Sequence, residues 1–265
     1  MQEGSYKVKG SPQNAPPRLY GDLAWLWPII SSVEDYSKEA EFFARTIQEE
    51  SQVPVSTLLD IGCGGGHLDN YLKKHFQITA ADISEPMLEL ARMLNPEVVY
   101  LTGDMCTMRL GQLFDTVIIH DAINYMLNPA DLKAAFQTAF EHLRPGGVFL
   151  TFVEVMTRSF QQNKTFVTSR SRGDTEVVFI ENYYDPDPHD TTYEGTYVYL
   201  IRQKGHLSVE TDRHLGGVFP LETWRSLLKQ VGFVVKQREW KHSEFVEGKA
   251  LPLLVCTKPG ENAAY

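Results

Sequence analysis

The residues best placed to do chemistry begin at Leu58-Leu59-Asp60-Ile61-Gly62-Cys63-Gly64-Gly65-Gly66-His67. An apolar run ends on a carboxylate and enters a glycine loop that opens a helix. Glycines permit a tight turn and let a ligand approach the backbone, and a helix start offers free N–H groups. Dinucleotide sites want the spacing GxGxxG. The third glycine position here is His67, so that pattern fails, and the spacing present is Asp-x-Gly-x-Gly-x-Gly. Two more acids follow, each closing an apolar run: Asp82, and Asp104 in Gly103-Asp104-Met105. A carboxylate at position 82 can accept two hydrogen bonds from a ribose diol, a charge-assisted pairing. Taken alone, each acid reads equally as a solvated turn residue. A fourth apolar run leads into His120-Asp121-Ala122-Ile123-Asn124-Tyr125, and His214 lies farther on. His120, Asp121, Tyr125 and His214 are the candidate proton acceptors. For His120, packing beneath a ligand is an equal reading. His214 and its neighbour Arg213 read equally as structural.

Alternating strands and helices must position these groups. The pattern predicts strands over 56–61, 77–81, 98–102, 114–119 and 148–153. Helices fall over 67–74, over 84–94 with Ser84 as cap and Pro86 early, and from Leu132 to Leu143, stopping at Pro145-Gly146-Gly147. This rhythm implies a mostly parallel, doubly wound α/β sheet. Upstream, residues 19–30 are rich in aromatics, and Ser32 reads as the cap of an amphipathic helix running to about Glu50. Trp25 and Trp27 read as packing residues or as part of a lid. The rhythm breaks after 155. Strands over 175–184, 192–202 and 206–212 form an antiparallel insert, with a turn at Asp185-Pro186-Asp187-Pro188. Tyr193, Tyr197 and Tyr199 share one strand face, as packing residues or as a pocket wall. A helix over 221–231 and strands over 233–238 and 251–256 close the chain. The expected organisation is a flexible tail (1–17) and a single domain (18–265). That domain holds an N-terminal helical lid (18–50), a cofactor-binding core (56–155), the insert (156–217) and the remainder of the core (218–265).

The stretch from Asp60 to His67 resembles the first motif of class I S-adenosylmethionine-dependent methyltransferases, and the resemblance covers about 56–155 well. Ile83-Ser84-x-x-Met87-Leu88-x-x-Ala91-Arg92 resembles the segment after that family's second strand. The resemblance implies a Rossmann-like fold and S-adenosyl-L-methionine as cofactor. It implies a cofactor site of Tyr20, Asp60, Gly62, Cys63, Gly64, His67, Asp82, Ile83, Met87, Asp104, Met105 and His120. Within it Ile83 and Met87 flank the adenine, Asp104 receives the adenine amino group, and the backbone N–H of Met105 reaches the ring. Tyr20 enters because Tyr-x-Asp-Leu-Ala resembles the family's lid. The insert, with Asp212-Arg213-His214 through Phe219, is more loosely similar to small-molecule and amino-sugar N-methyltransferases, in which it covers the acceptor or makes a dimer contact. The expected activity is methyl transfer to a nitrogen or oxygen of a small molecule. A nonenzymatic S-adenosylmethionine-binding regulator and a nicotinamide-dependent oxidoreductase stay open as alternatives. The Asp/Asn-Pro-Pro-aromatic motif of amide and base methylases is missing after the fourth strand.

Composition narrows the partners. The chain has 265 residues, 43% of them hydrophobic, and a formal net charge of −9. Long polyanions need clustered Lys and Arg, so no nucleic-acid partner is expected. The three cysteines are scattered and no metal-ligand spacing occurs, so no metal is expected. That usage fits a reducing, cytoplasmic setting. No apolar stretch reaches the ~18 residues of a membrane span, and no membrane partner is expected. A homodimer through the insert is a further expectation.

Overall fold

In the computed structural model, residues 16–241 and 250–260 are described. All of the expected tail except its last two residues lies outside them. The described chain begins with 3-10 turns at Arg18–Tyr20 and Ala24–Leu26, then α1 (Trp27–Ile30). A further 3-10 turn, Val33–Tyr36, leads into α2 (Ser37–Glu50). Ser32 does not cap this helix: its hydroxyl donates to the Glu34 carboxylate rather than accepting from a backbone N–H.

The core elements follow as β1 (Thr57–Ile61), α3 (Asp69–Leu72), β2 (Gln77–Asp82), α4 (Glu85–Leu94), β3 (Val99–Thr102), β4 (Phe114–Ile119), α5 (Pro129–His142) and β5 (Leu143–Phe152). The helix expected over 67–74 shrinks to the single turn α3, because Gly66 to Leu68 still belong to the loop. Ser84 caps α4 as expected, accepting from Met87 N at 3.2 Å. Helix α5 starts earlier than Leu132: the Asn128 side chain accepts from Ala130 N and Asp131 N, and Pro129 takes the first turn. Strand β5 starts at Leu143, through an irregularity opposite Phe114–Thr116 that absorbs Pro145-Gly146-Gly147.

After β5 come β6 (Lys164–Arg172), β7 (Thr175–Tyr184), β8 (Thr192–Gln203) and β9 (His206–Gly217), then α6 (Leu221–Val231), β10 (Val234–Lys241) and β11 (Ala250–Thr257). The seven-stranded sheet has the order β10-β11-β5-β4-β1-β2-β3, parallel except for β11. Alternate residues of one strand feed opposite faces. Leu59, Val117 and Phe149 meet α5 and α6, whereas Leu58, Ile118 and Val148 meet α2 and α4.

The four strands β6–β9 form a separate antiparallel sheet, one strand more than expected. The residues of one of its faces divide by position. At one end Val177, Phe179, Tyr199 and Ile201 bury against Leu19, Leu23, Leu26, Ile29 and Ile30. Continuing along that face by register come Glu181, Tyr183, Tyr193, Tyr197, Asp212 and His214. The antiparallel sheet therefore clamps the N-terminal segment and extends a polar, tyrosine-rich face beyond it. No helix among the described residues is long and apolar enough to cross a membrane.

Candidate active site

The glycine loop leaves β1 and turns back beside β2. Gly62 N and Cys63 N both donate to Ala81 O, at 2.7 and 3.2 Å. Gly62, Gly64 and Gly66 have φ of +80°, +53° and +71°, which L side chains rarely adopt. At Gly62 space is also short: a Cβ there would stand 2.3 Å from the Ala122 Cβ. Asp82 lies at the C-terminal end of β2. Its Oδ2 accepts from Gly64 N and its Oδ1 from Ser84 N, each at 2.8 Å. Burial pushes the carboxyl up, and those backbone donors oppose the shift. Each oxygen retains a lone pair toward the cleft.

Beneath the loop lies a buried polar network. Tyr100 Oη donates to Asp69 Oδ2 at 3.0 Å, and Asn95 Nδ2 donates to Gly66 O at 2.8 Å and to Tyr100 Oη at 2.9 Å. Asp60 and Asp69 act on each other, and both carboxyls are raised mainly by burial. Asp60 Oδ1 has no partner among the described residues. Above the loop, Trp27 stands where a Gly65 Cβ would point, at 2.7 Å. His67 is buried between Trp27 and Tyr36, with ring centroids at 5.9 and 5.5 Å. Burial lowers its imidazole to about 4, so it is neutral near pH 7. Trp27 Nε1 and His67 Nδ1 are likewise unpartnered. Trp25, in contrast, is exposed. A side-chain-free cradle, a carboxylate at the end of β2 and an orphaned buried acid oxygen fit the cofactor that the resemblance implies.

The expected adenine residues separate. Ile83 is 72% exposed on the cleft side of β2, whereas Met87 is 0% exposed. The Met87 Cε lies 3.4 Å from the position a Gly64 Cβ would take, so Met87 packs against the glycine loop. Asp104 is exposed and accepts from Cys106 N at 2.7 Å, while Met105 is half-buried against the core. Cys63 is half-buried, its thiol held neutral by burial.

His120 does not stand as a free base. Its Nε2 lies 3.2 Å from Glu39 Oε1 and its Nδ1 3.3 Å from Asp121 Oδ2. Burial alone would lower this imidazole, but Asp121 and Glu39 outweigh it and hold it up at about 10. It is an imidazolium at neutral pH, packed against Phe43 and Phe152.

Tyr20, Tyr125 and His214, far apart in sequence, converge. Tyr125 Oη lies 2.9 Å from Tyr20 Oη and 2.7 Å from His214 Nδ1. His214 Nε2 meets Asp212 Oδ2 at 2.8 Å, and Leu19 N donates to the same oxygen at 2.8 Å. Burial would raise Asp212, but its bond to His214 and the backbone donors keep it low. Asp212 Oδ2 thus accepts from both Leu19 N and His214 Nε2, and orients the imidazole edge that carries Nδ1 toward Tyr125, whose hydroxyl donates to Tyr20. Ser84 Oγ donates to Tyr20 O at 2.6 Å, tying the N-terminal segment to the turn after Asp82. Arg213 alternates to the opposite face and pairs with Glu194.

Sequence reasoning passed over Asp212, Asn124, Glu154 and Glu181 as site residues. Asp212 was readable as the same-face neighbour of His214 on a strand of period two. Glu154 follows the end of a parallel strand, where such sheets collect ligand groups. Among the described residues there is no group of three or more His, Cys, Asp or Glu able to hold a metal.

Comparison with known proteins agrees with this fold. The methyltransferase domain family matches residues 58–147. The dTDP-3-amino-3,4,6-trideoxy-alpha-D-glucopyranose N,N-dimethyltransferase of Streptomyces venezuelae is 36% identical over 118 residues, covering 43% of this chain and 49% of that protein. The chain thus spans about half the length of that relative. The dTDP-3-amino-3,6-dideoxy-alpha-D-glucopyranose N,N-dimethyltransferase of Streptomyces fradiae is 30% identical over 196 residues, covering 67% of this chain and 76% of that protein. A sugar N-methyltransferase structure from Streptoalloteichus shares the fold with a TM-score of 0.78, at 22% identity, covering 98% of this chain and 99% of that one.

Proposed function

Because the chain belongs to the class I S-adenosylmethionine-dependent methyltransferases, we propose that it methylates an amine nitrogen of a small molecule, an amino sugar by analogy with its relatives. It is an enzyme, and S-adenosylmethionine is its cofactor. The cofactor supplies a sulfonium methyl already activated toward a nucleophile. What remains for the protein is to hold the acceptor in line, exclude water and receive one proton.

Asp82 holds the ribose diol, and Ile83, Asp104 and Met105 border the adenine. Asp60, behind the glycine loop, attracts the cofactor's ammonium. Trp27 and Tyr20 close the site from the lid side. His120 carries positive charge between Glu39 and Asp121 rather than taking a proton.

The observation that carries the nitrogen reading is the order of groups along the hydrogen-bonded line. His214 is buried behind Tyr125 and Tyr20, with Asp212 behind it. Burial raises both phenols, so they stay neutral at pH 7. A neutral phenol is a poor base for an alcohol. An amine that arrives neutral needs only an outlet for its surplus proton, and the Tyr20–Tyr125–His214–Asp212 line offers one. Carbon-13-methyl cofactor offered with matched amino and hydroxyl sugars tests this. Label on nitrogen is expected; transfer to hydroxyls alone overturns it.

The outer face of the antiparallel sheet presents Val167, Val178, Ile180, Val198, Leu200, Leu207 and Val209. An apolar face of this kind on a sheet marks an interaction surface, and we assign it to a second copy of the chain.

A further inference from the structure

Ser84 ends the turn that carries Asp82 and Ile83, and it bonds to three different parts of the molecule. Its N–H donates to Asp82 Oδ1 at 2.8 Å. Its Oγ accepts from Met87 N at 3.2 Å and so caps α4. The same Oγ donates to Tyr20 O at 2.6 Å. A hydroxyl has one proton and two lone pairs. Capping uses a lone pair, which an Asp or Asn side chain supplies equally well. The proton is surplus to the cap, and it goes to the N-terminal segment. Ser84 is 8% exposed, so water has little access to that bond.

The N-terminal segment is held from its other side by the antiparallel sheet. Leu19 N donates to Asp212 Oδ2, and Arg18 Nη1 donates to Glu210 Oε2 and Thr211 O, all on β9. Leu19 and Leu23 add apolar burial against Phe179 and Tyr199. On the side of the parallel sheet, the Ser84 hydroxyl grips the main chain. Among the described residues, the other bonds of that main chain stay between residues 17 and 26 or reach Asp212. The gripped carbonyl belongs to Tyr20. Tyr125 Oη donates to the Tyr20 Oη at 2.9 Å, and the Tyr20 ring stands edge-on to His214 with centroids 5.7 Å apart. Fixing the peptide of a residue restricts where its phenol can reach.

We propose that Ser84 is a positioning residue for the acceptor side of the site: its hydroxyl sets the main chain of Tyr20 against the turn that carries Asp82, and so brings the Tyr20 phenol onto Tyr125. The cofactor seat and the acceptor wall are joined through this one proton. The proposal rests on the reading of the Tyr20–Tyr125–His214 line as the acceptor wall. The tie itself belongs to the folded chain and is measured apart from any methyl transfer.

The test is carbon-13 NMR of the full chain with Cζ-labelled tyrosine, loaded with S-adenosylhomocysteine. Tyr20→Phe, Tyr125→Phe and Tyr100→Phe assign the three resonances that matter. Tyr100 is the control: it shares an apolar cluster with Leu88 and Ala91 of α4 and bonds to Asn95, just past that helix, so it reports any displacement of α4. Ser84→Gly removes the proton, keeps the N–H to Asp82, and leaves a residue that helix caps tolerate. It is expected to shift the Tyr20 and Tyr125 resonances and to leave Tyr100 in place. Ser84→Thr keeps the hydroxyl and is expected to restore both parent positions. Hydrogen exchange gives a second reading. Amides of residues 18–24 are expected to exchange about tenfold faster in Ser84→Gly, the scale of one lost hydrogen bond, with those of β1 and β4 unchanged. Parent resonances and parent exchange in Ser84→Gly overturn the proposal. So does a shift of Tyr100 as large as that of Tyr20, or a Ser84→Thr chain that behaves like Ser84→Gly. If the resonances move as expected but no cofactor methyl ever reaches a nitrogen, the amine reading fails while the positioning role stands.

Discussion

Asp82 accepts one backbone hydrogen bond on each carboxylate oxygen, from Gly64 N and Ser84 N, and keeps a lone pair on each. Replacing it by Ala removes the ribose acceptor and frees Gly64 N and Ser84 N. The expected loss is about 1–3 kcal/mol, roughly 5- to 100-fold in cofactor dissociation constant by calorimetry; unchanged affinity removes Asp82 from the ribose. At this scale, residue type and position in the pattern reveal much. The Asp-x-Gly-x-Gly-x-Gly spacing and the acid closing β2 are local facts, so they survive folding unaltered. Charge state is not local. His120 reads as a base from its type, yet Asp121 beside it and Glu39 on α2, more than eighty residues upstream, together hold it as an imidazolium. Met87 reads as an adenine wall from its motif, and only packing reveals that it lies against the glycine loop.

The loop owes its shape to two separate constraints, which substitution can divide. Gly62 and Gly111 both have positive φ, +80° and +67°. A Cβ at Gly62 collides with Ala122, whereas nothing stands within 4 Å of one at Gly111. Gly111→Ala is therefore expected to cost only backbone strain, about 1 kcal/mol. Gly62→Ala adds overpacking of about 1–3 kcal/mol, so its melting temperature should fall further, by about 2–4 °C per kcal/mol. Equal melting temperatures would argue against a tight loop. The parallel core is legible because its strands are short apolar runs separated by helical periodicity. Strand β6 escapes because it lacks the apolar-in, polar-out alternation: Lys164 and Thr168 share the inner face with Phe166, Val167 stands on the outer face, and the strand lies at a sheet edge. The start of β5 escapes because Pro145-Gly146 reads as a stop, while the sheet absorbs it as an irregularity.

Across the whole molecule, the antiparallel sheet has two jobs on two faces. Its inner face buries the N-terminal segment, and its outer face leaves Val167, Leu207 and Val209 at 62%, 54% and 56% exposure. Sedimentation at micromolar concentration is expected to give a dimer, and Val209→Glu a monomer that still binds cofactor; a monomeric parent chain contradicts this use of the face. Such convergence is what a sequence conceals. Tyr20, Tyr125 and His214 can each be selected by type, but nothing local joins the lid, the turn after β4 and β9 into one line. The central claim is that this line serves a nitrogen acceptor beside an activated methyl. Its most direct measurement is a single turnover with carbon-13-methyl S-adenosylmethionine and an amino-sugar acceptor, read by the carbon-13 shift of the transferred methyl. The account predicts an N-methyl resonance whose appearance slows in Tyr125→Phe. An O-methyl resonance, or no transfer to any amine while hydroxyl compounds are methylated, would contradict it.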